Sequence, residues 1–273
     1  GLVAAHVGAA VAADPLDTPA LLRAADAAIK GGQPAEAIKL ADKILAADPK
    51  DYRALFYRGR AYEESKDTAE ALADYDASLK SNPKAAIVLQ KRGELQFKLG
   101  NFAASIADFD KFIEAMPEQA PHHWQRGISL YYAARFEDGR KQFESHQTVN
   151  PYDVENAVWH FLCVARASGA EKAKAALIPI ERDSRIPMMQ ILALFGGKGK
   201  PEDVLAAAKT GSAAQQENQL FYAHLYLGLY FEAIGDAKLA REHILKAATG
   251  FKAEHYMGDV ARVHAQVLRK QSK

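Results

Sequence analysis

The sequence predicts an all-α solenoid, built from antiparallel helix pairs and closed by a C-terminal helix. Two regularities and one absence carry this. Prolines stand at Pro49, Pro83, Pro117 and Pro151, each 34 residues after the last. Between them, "FYRGRAYEESKDTAEALADYDASLKSNP" (56–83), "LQKRGELQFKLGNFAASIADFDKFIEAMP" (89–117) and "HWQRGISLYYAARFEDGRKQFESHQTVNP" (123–151) fall into one register. No segment alternates apolar and polar residues as a half-buried strand would. A fixed period of this length means that each unit is a supersecondary element that cannot bury its apolar face alone, so stacking makes the fold.

The elements follow in order. Residues 1–13, "GLVAAHVGAAVAA", read as the end of a secretory signal, with a small-residue cleavage pattern at Val11–Ala13; an N-terminal arm is the alternative. Residues 14–152 hold four repeats, the first recognisable by "KGGQPAEAIKLADKILAADP" (30–49). Within a repeat, Gly59, Gly93 or Gly127 lets helix A approach helix B, and Ala37 and Ala71 sit where the helices cross. Tyr75, Phe109 or Phe143 is expected to fill the wedge toward the next repeat, and the proline ends helix B. Residues 153–215 read as degenerate helix pairs: 155–178 without the signature, then 186–211 around "GGKGKP", with Pro201 at a helix start. The signature returns over 223–248 in "AHLYLGLYFEAIGDAKLAREHILKAA", so 216–273 form a last repeat and a capping helix at roughly 254–270.

Composition narrows the function classes. Thirty-five basic and 34 acidic residues give a formal net charge of +1, which offers no electrostatic footprint for nucleic acid or an anionic membrane. No apolar run is long enough to span a bilayer. One cysteine, Cys163 amid Phe161, Leu162 and Val164, builds neither a disulfide nor a cysteine-rich zinc site and reads as an inert buried thiol.

Period, glycine, aromatic, small residue and proline together resemble the tetratricopeptide repeat (TPR) family. The resemblance implies a right-handed TPR superhelix and a protein-interaction role without cofactors. The order of regular repeats, "ENAVWHFLCVARASG", a short pair and "LYLGLYFEAIGDAKLA" resembles NlpI-type (new lipoprotein I) envelope adaptors over most of 17–268. That second likeness implies export to the periplasm or cell envelope, with a cytoplasmic location as the alternative. The absence of a lipobox cysteine removes lipid anchoring from what it implies.

In the TPR family the A helices line a concave groove. Carried onto this register, the groove positions are Arg53, Phe56 and Arg60 in one repeat, Gln90 and Glu94 in the next, and Trp124, Ile128 and Tyr131 in the third. Aromatics mixed with Arg and Glu suit a peptide or helix. The positions that grip a C-terminal carboxylate in chaperone-binding members hold Leu22, Asp26, Tyr57, Ile87 and Lys91 here, so that ligand is not expected. The predicted partner is a protein or peptide bound by a non-enzymatic adaptor. A dimeric scaffold self-assembling through 153–215 and the last helix is the alternative.

Reactive-looking clusters read as repeat structure. In "PHHWQRG" (121–127), His123 takes a core position and His122 faces solvent. Trp124 is rotated by about 100° from the usual aromatic position, toward the groove. The acids flanking Tyr75 and Phe109 in "ADYDA" and "ADFDK" read as a solvated face. A metal-dependent hydrolase would need His255, Asp259 and His264 to converge, which their places on one helix disfavour.

Overall fold

The computed structural model describes residues 17–271. The expected signal remnant or arm at 1–13 lies outside the described residues. Fifteen α-helices and one 3₁₀ turn, with no strand, make up the described chain. It divides into two compact units at residues 88 and 89.

The first unit carries α1 (Thr18–Lys30), α2 (Pro34–Ala47), α3 (Tyr52–Glu64) and α4 (Thr68–Ser81), and α5 (Ala86–Lys98) begins at its end. The second holds the rest of α5, α6 (Phe102–Ala115), the 3₁₀ turn Pro117–His122, α7 (Trp124–Tyr132) and α8 (Phe136–Gln147). After these come α9 (Val154–Ser168), α10 (Ala170–Ala175), α11 (Met188–Phe195) and α12 (Pro201–Ala208), with non-helical chain between α10 and α11. The last three helices are α13 (Ala213–Ala233), α14 (Ala237–Thr249) and α15 (Tyr256–Gln271).

Local chemistry sets the helix ends. Asp51 accepts hydrogen bonds from the Arg53 and Ala54 amides at the start of α3, and Ser212 with Gln215 forms a capping box on α13. Helix B stops where the next residue is a proline, because the pyrrolidine ring forces its predecessor out of the helical region. Asp48, Asn82 and Met116 accordingly have ψ of 94°, 91° and 72°. Between helices A and B one turn position has positive φ in every regular repeat. It is Gly32 (68°), Lys66 (68°), Gly100 (77°) and Ala134 (57°), and two of these four residues adopt it without being glycine.

Helix pairs close as the register predicts, with one correction to the role of the aromatic. Instead of filling the wedge toward the next repeat, the ring stands on the glycine of its own pair, 16 residues earlier. A Cβ on Gly59 would lie 2.8 Å from Tyr75, one on Gly93 2.6 Å from Phe109, and one on Gly127 2.6 Å from Phe143. Glycine is therefore what lets the ring lie flat on helix A.

The acids beside those rings are a second correction. Asp74 and Asp108 are buried, not solvated. Arg58 Nε and Nη2 donate to Asp74 and Arg92 Nε and Nη2 to Asp108, each pair bidentate, at 2.6–2.8 Å. Arg58 also reaches back to Asp42 (2.7 Å), and Arg126 to Asp110 (2.6 Å) and forward to Gln142 (3.1 Å). A guanidinium at one repeat position thus ties helix A to helix B by planar, geometry-selective contacts.

The core of the second unit is one large cluster centred on α9 and α13. In α9, Val154 and every residue from Asn156 to Val164 are buried, which is the pattern of a helix surrounded on all sides. Cys163 lies in this core with its sulfur close to Gly139, and burial pushes its thiol pKa well up. α11 and α12 pack onto α9 and α13, and "GGKGKP" is their connector, ending in Pro201 at the start of α12.

Candidate functional site

The structure separates the expected groove residues. In the first unit, Arg53 is exposed and bound to its own helix cap, Asp51 (2.7 Å). Arg60 pairs with Asp26 (2.7 Å) while its guanidinium lies over the Phe56 and Tyr57 rings at 5.7 Å. Phe56 itself is buried against Tyr57 and Tyr75, so it cannot anchor a ligand. In the second unit, Ile128 and Tyr131 are also buried, Tyr131 among Tyr132, Phe136 and Trp159. These three are corrections: the repeat stack covers them with neighbouring helices.

Gln90 and Glu94 are tied to the unit's own residues. Gln90 Nε2 donates to Glu94 Oε1 (2.9 Å), and Lys91 and Gln125 donate to the same carboxylate. His123 Nδ1 accepts from the Arg126 amide, so Nε2–H is left to donate to Gln90 Oε1 (2.8 Å). Burial between Phe109 and Phe112 lowers the His123 pKa to about 4. The ring is a neutral cap of α7, and its neighbour His122 is exposed.

Trp124 is half-buried and does face away from its own helix pair, but it does not meet an open groove. Tyr256 at the start of α15 packs edge-to-face on it at 5.1 Å and stacks on Phe97 at 5.2 Å. The last helix returns to the A helices of this unit and fills part of the concave side with its own chain. The residues of the hydrolase alternative end up apart. His264 lies between the Tyr132 hydroxyl (2.9 Å) and Glu232 (3.2 Å), and Asp259 pairs with Arg262 (2.6 Å) and Lys98 (3.5 Å). His255 stacks on Tyr222.

Beside Trp124 lies a cavity of about 350 Å³ that the repeat register does not reveal. Aromatic walls come from four helices: Trp124 of α7, Phe143 of α8, Trp159 of α9 and Tyr222 of α13. Tyr256 and the exposed His255 stand at its C-terminal side. One side is polar. Arg185, from the non-helical chain before α11, is held by three carboxylates. Its Nε and Nη2 bind Asp183 (3.0 and 2.6 Å), Nη2 also binds Asp153 (2.6 Å), and Nη1 binds Glu155 (2.6 Å). The hydroxyl of buried Tyr226 donates to Glu155 as well.

The electrostatics are uneven. Burial raises the Glu155 carboxyl to about 7, and Asp153 adds to the rise, although Arg185 and Tyr226 pull the other way. Asp183 is held below the ordinary carboxylate range by the Arg185 side chain and by backbone amides. Asp153 doubles as the cap of α9 through the Glu155 amide (3.1 Å). Two polar atoms on the wall have no hydrogen-bond partner, Asn156 Oδ1 and Trp159 Nε1, both on deeply buried residues. The only sequence signal for this site was the Asn-Pro-Tyr-Asp turn into α9. Asp183 and Arg185 sit in chain that carries no periodicity.

Comparison with known proteins gives the class. The tetratricopeptide-repeat family model matches residues 4–52, 22–86 and 58–121. A tetratricopeptide-repeat protein from Parabacteroides merdae is 16% identical, covers 92% of this chain and 98% of its own, and superimposes with a TM-score of 0.59. MamA from Desulfovibrio magneticus RS-1, from its residue 41 onward, is 17% identical over 59% of this chain and 91% of its own, with a TM-score of 0.52. No curated protein matches the chain. The chain is a tetratricopeptide-repeat protein, with the fold of a protein-interaction scaffold. Among the described residues no helix is long and apolar enough to cross a membrane.

Proposed function

We propose that this protein is a non-catalytic adaptor that captures a segment of a partner protein at the aromatic cavity of its second unit. The observation that carries the reading is the cavity itself. Repeat helices α7 and α8 supply Trp124 and Phe143, the irregular α9 supplies Trp159, and the later helices complete the wall. Large aromatics in a concave site are what a peptide anchor fits. The capture is local, because α15 already occupies the neighbouring A-helix surface. Arg60 and Glu94, bound to residues of their own units, tune the surface charge rather than grip the partner. The small-residue run before Asp14 supports an exported protein, so the partner is sought in the cell envelope; fractionation of producing cells tests that location.

The test uses the purified full chain against an envelope extract, followed by calorimetry with the recovered partner. Replacing Trp124 and Tyr222 together by Ala should weaken binding tenfold or more. Unchanged affinity in the double variant would remove this site as the anchor.

A further inference from the structure

We propose that the cavity of the second unit receives a free N-terminal amine, the α-ammonium group of a peptide chain together with its first carbonyl. The inference rests on the adaptor reading and specifies the chemistry of the captured segment.

Charge sets the sign of the ligand. Three carboxylates, Asp153, Glu155 and Asp183, converge on one guanidinium. Arg185 spends Nε, Nη1 and both contacts of Nη2 on them, so it is occupied rather than offered to an anion. With Glu155 ionised the cluster carries two surplus negative charges; with Glu155 protonated it carries one. Burial works against the charged form of Glu155 even with Arg185 beside it. A second cation in the cavity would relieve that opposition. The aromatic faces around it attract an organic ammonium through their quadrupoles.

The orphaned wall atoms set the shape. Asn156 Nδ2 is satisfied by the Phe143 carbonyl (3.0 Å) and Gln147 (3.1 Å), which leaves Oδ1 as a buried acceptor lacking a donor. Trp159 Nε1–H is a buried donor lacking an acceptor. The two residues are three apart on α9, so they share a face. A buried polar atom left unpaired is costly, and the group that pairs both must carry a donor and an acceptor close together. An α-ammonium next to a peptide carbonyl has that arrangement. A lysine side chain brings the ammonium without a near carbonyl. A free amino acid brings a carboxylate that the surplus negative charge repels. Capture of a chain's N-terminal amine by local polar groups is an established recognition mode.

The experiment is calorimetry of the full chain with four probes: the tripeptide amide Ala-Leu-Ala-NH2 with a free amine, its N-acetylated form, Nα-acetyl-lysine methylamide, and free alanine. The free-amine tripeptide should bind at least tenfold tighter than each of the others. Glu155→Gln, which keeps the shape and a group able to accept from Tyr226, should remove most of that preference, and so should Asp153→Asn, which keeps a helix cap. Circular dichroism checks that each variant is folded; if neither folds, the four probes on the native chain decide alone. Equal binding of the free and acetylated tripeptides overturns the amine assignment and leaves the adaptor standing. Tighter binding of the lysine probe, or of alanine, overturns it in favour of a side-chain amine or a free metabolite. Absence of binding by all four overturns it outright.

Discussion

Gly93→Ala puts the packing of one helix pair to a test in which the sign of the effect is diagnostic. In an open helix interior, glycine to alanine is stabilising by ~1 kcal/mol, because alanine restricts the unfolded chain and favours the helix. Here the added Cβ would sit 2.6, 2.8 and 3.2 Å from three atoms of the Phe109 ring. Ordinary carbon contacts are about 3.5–4.0 Å. Phe109 is fully buried, so the ring has no free space to retreat into. Overpacking of this kind costs about 1–3 kcal/mol. Subtracting the propensity gain leaves a net loss of roughly 0.5–2 kcal/mol. Urea unfolding followed by far-UV circular dichroism measures it as a lower midpoint with unchanged slope. Phe109→Leu added to Gly93→Ala should recover part of the loss, giving a coupling of about 1 kcal/mol between the two sites. A Gly93→Ala variant as stable as the native chain, or more so, would refute the claim that the glycine exists to seat the ring.

Two further outcomes follow from the fold. Ala134 is exposed and held at φ 57°, a conformation that costs a non-glycine residue ~1 kcal/mol. Ala134→Gly should therefore raise the unfolding midpoint, by roughly 0.5–1 kcal/mol, and a lower midpoint would contradict the strain. For His123, burial lowers the pKa from 6.5 to about 4, so between those values the unfolded chain binds more protons than the folded one. The stability that depends on a neutral His123 is complete above pH 6.5 and fades as pH falls toward 4. His123→Asn keeps a cap for α7 and removes the titration. Between pH 7.5 and 4.5 the native chain should lose about 2 kcal/mol more stability than this variant, and parallel stability curves would refute the assignment.

How much was legible in the sequence depended on periodicity. The proline, glycine and aromatic positions recur every 34 residues, so helix pairs and their closest approaches could be read directly. The acids of "ADYDA" and "ADFDK" recur too, but their pairing could not be read, because Arg58 and Asp74 are 16 residues apart and meet only once the pair has closed. For Phe56, Ile128 and Tyr131 the groove register pointed outward, whereas their exposure is decided by which neighbour packs over them. Trp124 was legible as an outward-turned indole. Its actual contact, Tyr256, lies 132 residues later and belongs to a helix whose return no local signal announces.

The cavity arises where the regular repeat ends, and that follows from the packing. In a regular stack, each A helix meets the next at a repeated angle and side chains fill the seam, as Phe109 and Phe143 fill theirs. From α9 onward the register is lost: α9 is enclosed on all sides, α10 is short, and the chain from 176 to 187 is not helical. That stretch is free to carry Asp183 and Arg185 against the cap of α9, and α15 brings Tyr256 back toward Trp124. The regular repeats therefore supply the walls and the irregular chain supplies the charge. A linear groove would admit the middle of an extended segment. A cavity bordered by α15 and by the Arg185 cluster favours a chain end instead, and the surplus of carboxylates selects the end that is positively charged.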